Sequence, residues 1–250
     1  MTNDTSWRPV VDLIIPALNE QENISALFAE LNKLPRDFIR QIIVADNGST
    51  DETARLAREA GAIVVREDQR GYGAACLAGL NWITESPTPS PDVVAFLDAD
   101  LADDPSNLPL IIAPIAAGAA DMVIASRRRM ADPGALTTTQ RLGNILACRL
   151  IHICTGQRFN DLGPMRALRW ESLTALKMED RTWGWTVEMQ YKAAVIGLRC
   201  TDVHLPYRRR YAGPGKISGT VTGSVKAGYR ILFTIGKLFL ETRWGRKPQY

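Results

Sequence analysis

The amino-acid sequence predicts an α/β fold in which a mainly parallel sheet carries helices on both of its faces. Segments with strand-like and helix-like patterns alternate through the first half of the chain, an order that is typical of parallel sheets. The apolar run 93–97 has the length of a buried strand, whereas residues 20–34 place Ile24 and Leu27 at helical spacing. With 250 residues, 46% of them hydrophobic, the chain is long enough for one large domain.

The first half of the chain is expected to contain five strands separated by four helices. Asp104 is expected to cap the fourth helix, because such a carboxylate followed by Pro105 is typical of a helix start. In chain order, these elements are the strand 10–15, the helix 20–34, the strand 41–45, the helix 50–60, the strand 62–65, the helix 74–83, the strand 92–97, the helix 105–117 and the strand 121–125.

The second half is less regular and is expected to contain more helix than strand. Its expected elements are helices at 140–154, 170–176 and 185–196, a strand at 198–206 that could be antiparallel, a basic glycine-rich loop at 207–219 and a last helix at 218–240. We expect one domain over 1–215, followed by a C-terminal amphipathic helical segment over 216–250.

The two halves of the chain differ sharply in charge, although the formal net charge is only +3. Residues 1–126 contain 8 basic and 19 acidic side chains, whereas residues 127–250 contain 22 basic and 8 acidic ones. The acidic half suits a cation, and the basic half suits a phosphate group, an anionic membrane surface or a nucleic acid. The alternative is that these charges simply mix on the folded surface.

The four cysteines show neither a CxxC pair nor a zinc-ligand spacing, which favours a reducing compartment. The amino terminus is polar and lacks the apolar segment of a signal peptide, and no apolar stretch has the length of a membrane span. We therefore expect a cytoplasmic protein, with peripheral attachment to the inner face of the membrane as a further option.

Asp98 and Asp100 follow directly after the apolar run 93–97. Because they are two residues apart on an extended backbone, their carboxylates share one side, and such like charges are unfavourable unless a cation compensates them. Ligands of open α/β sheets collect outside the carboxyl ends of strands. The pair therefore predicts a divalent-metal site for a phosphate-bearing substrate. The alternative role, capping of the next helix, falls more naturally to Asp103 or Asp104.

Two further polar segments follow strands and are expected at the same edge of the sheet. Residues 16–20 follow the first strand, and residues 46–51 follow the second, where Asp46 and Asp51 could accept hydrogen bonds from a nucleobase or a ribose. A glycine turn at 71–73 precedes the third helix, and it is neither a Walker loop nor a dinucleotide fingerprint. By itself, each segment also fits an ordinary strand-turn-helix junction.

In this order, the motifs resemble the family 2 glycosyltransferases of GT-A (Rossmann-like) fold, in particular the branch of dolichol-phosphate mannose synthase. The resemblance covers residues 10–220 and is carried by Pro16-Ala-Leu-Asn-Glu20, Asp46-Asn-Gly-Ser-Thr-Asp51, Gly71-Tyr-Gly73, Asp98-Ala-Asp100, Val123-Ile-Ala-Ser-Arg127, Asp161-Leu-Gly-Pro-Met-Arg166, Glu188 and Gly215-Lys-Ile-Ser218. Two positions depart from the pattern. Ala102 stands where these synthases often carry Gln, and Gly215 precedes Lys216 where they tend to have Ser.

The resemblance implies a nucleotide-sugar site over 1–126 and an acceptor site over 127–215. The residues expected to contact the nucleotide sugar are Pro16, Leu18, Glu20, Asp46, Asp51, Gly71, Gly73, Asp98, Ala99 and Asp100. Asp98 and Asp100 are also the expected ligands of Mg²⁺ or Mn²⁺. The residues expected to contact an acceptor phosphate are Arg127, Arg208, Lys216 and Ser218. The residues expected to act in catalysis are Asp100, Asp161 and Glu188.

The acceptor decides whether a general base is needed. The branch implies inverting transfer of a hexose to a polyprenyl phosphate, from a donor of the GDP-mannose or UDP-glucose type. Because a phosphate acceptor is already an anion, it needs cations to hold it and no general base. The remaining arginines of the basic segments are further candidates for this role: Arg128, Arg129, Arg209 and Arg210. We expect Arg128 and Arg209 to be solvated. If the acceptor is a hydroxyl of a saccharide, small molecule or protein, Asp161 or Glu188 becomes the candidate base.

Two functions outside this family stay open on the residues alone. A nucleic-acid-binding module could use the basic half, but the sequence lacks an aromatic platform or a recognition-helix signature, so no nucleic acid partner is expected. A nucleotidyltransferase also uses paired carboxylates on a parallel sheet, but no glycine-rich loop with Lys or Arg follows the first strand.

The last expected helix combines a broad apolar face with a narrow basic stripe. The apolar face contains Val225, Tyr229, Leu232, Phe233 and Leu240, and the stripe contains Lys226, Arg230 and Lys237. This pattern is typical of a helix that lies on a membrane surface. A helix that packs on the domain, or on a second subunit of a homodimer, shows the same amphipathicity.

Overall fold

The computed structural model describes residues 8–213 and 221–243, apart from the side chains of 221–227. Its strands are β1 (Val11–Ala17), β2 (Gln41–Asp46), β3 (Ile63–Arg66), β4 (Val93–Phe96), β5 (Met122–Ser126), β6 (Arg166–Arg169) and β7 (Cys200–His204). Its helices are α1 (Gln21–Leu31), α2 (Thr53–Glu59), α3 (Tyr72–Glu85), α4 (Leu108–Ala116), α5 (Thr138–Thr155), α6 (Trp170–Ala175), α7 (Trp185–Val195) and α8 (Val221–Arg243).

The seven strands form one sheet in the order β3-β2-β1-β4-β6-β5-β7. β1 pairs in parallel with β2 and β4, β2 pairs in parallel with β3, and β5 pairs in parallel with β7. The mainly parallel sheet predicted from the sequence is therefore confirmed. This arrangement brings the carboxyl ends of β1, β2, β4 and β5 to one edge of the sheet, where loops can converge on a ligand.

Two strands of the second half differ from the expectation. The strand expected at 198–206 is β7, and it runs parallel to β5. The antiparallel strand is instead β6, which pairs with β4 and β5. β6 was not predicted, because Arg166–Arg169 is only four residues long and begins and ends with arginine.

Helices cover both faces of the sheet because alternate residues of each strand point to opposite sides. On one face, Leu13 and Ile15 of β1 belong to the core that packs against α1, α2 and α4. On the other face, Ile14 belongs to the core that includes residues of α3, α5, α6, α7 and α8. The expected layers of helix on both sides are thus present.

The helix expected at 105–117 begins later in the structure. Asp104 accepts a hydrogen bond from the backbone nitrogen of Ser106 at 2.9 Å, but the turn that it caps is a 3₁₀ turn and α4 begins only at Leu108.

α8 packs against α5 and α7, with Ile235 and Leu238 buried. No helix within the described ranges has both the length and the apolar character needed to cross a bilayer.

Candidate active site

The paired carboxylates lie at the edge of the sheet where β4 ends. Asp98 and Asp100 are both partly exposed there, and Ala99 between them is buried. Ala99 and Asp100 already lie in a turn and Leu101 has a φ of 60°, so the pair does not lie on the extended backbone expected from the sequence. Asp104 caps the 3₁₀ turn before α4, as described above, so neither Asp98 nor Asp100 is needed for that role.

The surroundings of Asp98 disfavour the ionised form of its carboxyl group. Burial and the neighbouring charge of Asp100 raise the pKa of Asp98 to about 7. The hydroxyl of Tyr72 donates a hydrogen bond to its Oδ1 atom at 3.0 Å. A carboxyl group with such a pKa is one whose ionised form would gain much from a nearby cation.

The donor set around this pair is small. In the part of the chain that the structure describes, no group of three or more His, Cys, Asp or Glu side chains is arranged to hold a metal ion. Ala102 is buried and offers no side-chain oxygen. Mg²⁺ and Mn²⁺ accept one or two carboxylates together with phosphate oxygens and water, so the pair fits an ion that arrives with a diphosphate.

The segments after β1 and β2 are tied together beside this pair. The backbone nitrogen of Asn19 donates to Ser49 Oγ at 2.9 Å, and the backbone nitrogen of Thr50 donates to Asn19 Oδ1 at 2.8 Å. Pro16 is buried at the end of β1, and Leu18 is half-buried just beyond it. The two loops therefore form one structural unit at the edge of the sheet.

The acidic residues of these loops hold the local backbone in place. Asp46 is buried and accepts from the backbone nitrogen of Ser49 at 3.0 Å. Asp51 accepts from the backbone and hydroxyl of Thr53 and from the backbone nitrogen of Gln21. Burial opposes ionisation of Asp51, but these hydrogen bonds hold its pKa below the usual 3.8. A shallow groove beside them is lined by Asn19, Gln21, Glu22, Asn23, Asp51, Arg210 and Gly213.

Gly71 and Gly73 allow the start of α3 to lie against the backbone of residues 180–182. A Cβ atom on Gly71 would lie 2.0 Å from the carbonyl oxygen of Arg181, and one on Gly73 would lie 2.0 Å from that of Asp180. The backbone nitrogen of Gly71 donates to Asn47 Oδ1 at 2.8 Å, and that of Gly73 donates to a carbonyl oxygen at 3.1 Å. Both amides are therefore engaged within the protein, which gives these glycines a packing role.

Arg127 and Asp161 form a largely buried ion pair at the same edge of the sheet, where β5 ends. The backbone nitrogen of Arg127 donates to Asp161 Oδ2 at 2.7 Å, and its guanidinium lies 5.1 Å from the centre of the Tyr207 ring. Burial would raise the pKa of Asp161, but the charge and hydrogen bonds of Arg127 hold it below 3.8. Arg166 is fully buried and donates to the carbonyl oxygens of Leu162 and Gly163, which fixes the loop that carries Asp161.

Glu188 is also committed to partners within the protein. Its carboxylate accepts from the backbone nitrogens of Glu179 and Asp180 at 3.0 and 2.7 Å, and it lies 2.7 Å from Lys192 Nζ. These contacts hold the loop that supports Gly71 and Gly73. Of the other expected acceptor residues, Arg208 is exposed and pairs with Asp104, while Lys216 and Ser218 lie outside the described residues.

The loop of residues 207–213 crosses the edge of the sheet directly over the carboxylate pair. The backbone nitrogens of Arg208 and Tyr211 donate to the carbonyl oxygens of Ala102 and Asp100 at 2.8 and 3.0 Å. The guanidinium of Arg210 lies between Glu20 and Asp100 and pairs with both carboxylates. Sequence reasoning did not single out Arg210, because three consecutive arginines at 208–210 give no sign of which one turns inward.

Comparison with known proteins identifies the family to which this site belongs. The model of the family described as "Glycosyl transferase family 2" matches residues 12–189. A Mycobacterium tuberculosis protein described as an uncharacterized glycosyltransferase is 34% identical over 217 residues, which are 87% of this chain and 94% of the relative. The undecaprenyl-phosphate mannosyltransferase of Micrococcus luteus is 28% identical over 93% of this chain and 92% of its own length.

A solved structure supports the same fold. Glucosyl-3-phosphoglycerate synthase from Mycobacterium tuberculosis, in complex with Mn²⁺, UDP-glucose and phosphoglyceric acid, superimposes with a TM-score of 0.71 at 22% identity. The match covers 91% of this chain and 80% of that one. The mainly parallel sheet, the paired carboxylates at its edge and the family match agree. The chain therefore belongs to glycosyltransferase family 2 and is a glycosyltransferase of GT-A fold.

Proposed function

We propose that this glycosyltransferase moves a hexose from a nucleotide sugar to a polyprenyl phosphate, with a divalent metal ion and with inversion at the anomeric carbon. The observation that carries this proposal is the pairing of Asp161 with Arg127. The pairing engages the carboxylate that a hydroxyl acceptor would need as its base, and it orients a guanidinium at the proposed acceptor site.

The donor would lie along the edge formed by β1, β2 and β4. Glu20, Asp46 and Asp51 would face the nucleoside, beside Pro16, Leu18, Gly71, Gly73 and Ala99. Asp98 and Asp100 would hold Mg²⁺ or Mn²⁺, and the raised pKa of Asp98 supports such a role. Bound there, the ion would neutralise the departing diphosphate. The Mn²⁺ and UDP-glucose in the complex of glucosyl-3-phosphoglycerate synthase are consistent with this arrangement.

The acceptor side favours an anion that needs no deprotonation. Both candidate bases are engaged, Asp161 by Arg127 and Glu188 by Lys192 and two backbone amides. A phosphate acceptor is already ionised, so it could attack the anomeric carbon as that carbon gains oxocarbenium character. Arg127 is the described cation that we favour for orienting it, with Arg208, Lys216 and Ser218 as further contacts. The lipid-phosphate acceptor of the Micrococcus luteus relative supports this choice.

A hydroxyl acceptor is the second candidate, and one observation favours it. The glucosyl-3-phosphoglycerate synthase complexes contain phosphoglyceric acid or glucosyl-3-phosphoglycerate, which are small soluble molecules. In that case, Asp161 would have to leave Arg127, or Glu188 would have to leave its loop, before either could accept a proton.

We also propose that the protein works at the cytoplasmic surface of a membrane. The neighbouring helices α5 and α8 leave large apolar side chains exposed, which are Leu142, Leu146, Ile153, Tyr229, Leu232, Phe233 and Leu240. α5 carries Arg141 and Arg149 and no acidic residue. Apolar side chains together with basic ones suit an anionic lipid surface, where a polyprenyl phosphate would be presented.

The reaction is tested with purified protein, Mn²⁺ and one of GDP-mannose, UDP-glucose or UDP-N-acetylglucosamine. The expected result is release of a nucleoside diphosphate only when undecaprenyl phosphate is added. Undecaprenol is the matched control, because it has the same chain without the phosphate. Transfer to 3-phosphoglycerate instead of the lipid would favour the second candidate, and no release with any donor would contradict the proposal.

Membrane attachment is tested by flotation with vesicles of phosphatidylglycerol or of phosphatidylcholine. We expect binding to the anionic vesicles, and loss of binding when Leu232 and Phe233 are both replaced by serine. Leu110→Ser, on α4, removes an exposed leucine from the other layer of helices and serves as control. The surface would instead belong to a homodimer if the wild type does not bind vesicles and has the mass of a dimer in light scattering, while the double variant has the mass of a monomer.

A further inference from the structure

The contact between Arg210 and the carboxylates of Glu20 and Asp100 is largely buried and holds the guanidinium in a defined position. The side chain is 16% exposed and faces Glu20 at 7% and Asp100 at 19% exposure. Its Nη1 atom lies 3.2 Å from Asp100 Oδ2, and its Nη2 atom contacts Glu20 Oε2. Its Nε atom donates to the carbonyl oxygen of Ala212 at 2.8 Å, so the guanidinium is held at all three nitrogens.

The surroundings hold both ends of this contact. The backbone nitrogen of Tyr211 donates to the carbonyl oxygen of Asp100, which joins the loop to the carboxylate pair by backbone as well as by side chain. Asn23 donates to Glu20 Oε2 at 2.5 Å and to the carbonyl oxygen of Ala212 at 3.3 Å. The position of Arg210 is therefore fixed from the α1 side and from the 207–213 loop.

A metal ion and Arg210 would compete for the same carboxylate. Asp100 is one of only two side chains that we propose as metal ligands, and one of its oxygens already faces a full positive charge. Two cations close together in a partly buried site repel one another strongly. An ion that binds Asp100 must therefore push the guanidinium away or accept a weaker contact.

We propose that Arg210 is an internal counter-cation, which balances the carboxylates in the free protein and must be displaced when the metal binds. This inference rests on the proposed metal site. Arg210 thereby weakens the binding of a bare metal ion. A metal ion that arrives with a nucleoside diphosphate brings anionic oxygens that can compensate the displaced guanidinium, so Arg210 makes the binding of metal and nucleotide cooperative. Arg210 therefore favours binding of the complex of metal and nucleotide over binding of the free metal ion.

The test measures Mn²⁺ binding without nucleotide, by the loss of the electron paramagnetic resonance signal of free Mn²⁺. Arg210→Gln is expected to bind Mn²⁺ about tenfold more tightly than the wild type, because the positive charge that competes with Mn²⁺ for the carboxylates has been removed. Arg210→Lys keeps the charge but cannot span both carboxylates, so its affinity should lie between the two. Arg209→Gln is the matched control, because Arg209 contacts only the carbonyl oxygen of Pro133 among its hydrogen bonds in the described structure, and it should bind like the wild type.

The second arm adds a nucleoside diphosphate, UDP or GDP. In the wild type, the nucleotide should strengthen Mn²⁺ binding by a larger factor than in Arg210→Gln. Adding Asp100→Asn to Arg210→Gln should abolish the gained affinity, which assigns the gain to this carboxylate. Thermal melting verifies that each variant is folded, and Arg210→Lys provides the comparison if Arg210→Gln is unstable.

The outcomes separate this inference from the proposed function. The counter-cation is overturned if Arg210→Gln binds Mn²⁺ no more tightly than the wild type does. The metal site stands in that case, provided that Mn²⁺ binding by the wild type depends on Asp100. Mn²⁺ binding that is absent from every variant, with and without nucleotide, overturns the metal site and the counter-cation together.

Discussion

Arg127 and Asp161 meet through a two-point contact, in which the guanidinium Nε and Nη2 atoms lie 3.0 and 2.8 Å from the two carboxylate oxygens. Arg127 follows β5, and Asp161 belongs to the loop before β6, so the pair joins two neighbouring strands at the edge where the acceptor is proposed. Asp161 is almost fully buried, and Arg127 is 15% exposed. Such a pair orients the arginine and also keeps the carboxylate ionised.

Asp161→Asn should destabilise the protein, because it leaves the Arg127 guanidinium without its charged partner. The loss expected at neutral pH is about 3 kcal/mol in the free energy of unfolding. The pKa of Asp161 is lower in the folded protein than its usual 3.8, so its stabilising effect is present above pH 3.8 and is lost as the pH falls below that value. Urea unfolding at a series of pH values should therefore show that the gap in the free energy of unfolding between variant and wild type becomes smaller in acid. Asp37→Asn, at an exposed position, is the control, and a gap that stays constant with pH would contradict the prediction.

Asp100→Asn should abolish most of the turnover while leaving the fold unchanged. The carboxylate is partly exposed at the edge of the sheet, and its contacts are the backbone nitrogen of Ala102 and the guanidinium of Arg210. Loss of one of two carboxylates from the proposed metal site should lower the rate of nucleoside diphosphate release by on the order of 100-fold or more. Glu85→Gln, exposed at the end of α3, should match the wild type. A variant with near-normal turnover would exclude Asp100 as a metal ligand.

The part of the site that could be predicted from sequence is the part set by the ends of parallel strands. Asp98 and Asp100 directly follow the apolar run that forms β4, so their place beyond the carboxyl end of a parallel strand could be predicted, although the turn that contains Asp100 could not. Asp46 could be placed in the same way, at the last position of β2. For these residues, local pattern and the general rule for α/β sheets are sufficient.

The contacts that were missed join residues far apart in the chain. Arg210 reaches Glu20 and Asp100 only because β7 lies beside β5 and directs the following loop back across the edge. Arg166 is fully buried in an antiparallel strand, where its guanidinium is satisfied by carbonyl oxygens of the preceding loop rather than by a carboxylate. Hydrophobic periodicity carries no information about such long-range pairings, and a buried arginine looks like a surface residue in sequence.

Gly73→Ala should destabilise the protein through a steric clash. The added Cβ atom would lie 2.0 Å from the carbonyl oxygen of Asp180, and backbone must move to relieve the contact. The expected loss is about 2 kcal/mol or more in the free energy of unfolding, measured by urea titration. Gly143→Ala is the matched control, because nothing lies within 4 Å of its Cβ position and alanine favours the helix by about 0.5–1 kcal/mol. Equal stability of Gly73→Ala and the wild type would mean that this packing is not tight.

Tyr72→Phe should weaken activation by metal without removing the aromatic packing of the site. The Tyr72 hydroxyl donates to Asp98 Oδ1, while its ring stacks on Trp183 with the ring centres 6.1 Å apart, and phenylalanine keeps only the second contact. Without its hydrogen bond, the Asp98 carboxylate is less well positioned, so the Mn²⁺ concentration for half-maximal activity should rise about tenfold. Tyr191→Phe provides the control, because its hydroxyl contacts Thr242 Oγ1 at 3.1 Å, between α7 and α8. If Tyr72→Phe responds to Mn²⁺ as the wild type does, Tyr72 supports the site by packing alone, and the orientation of Asp98 is set by the turn after β4.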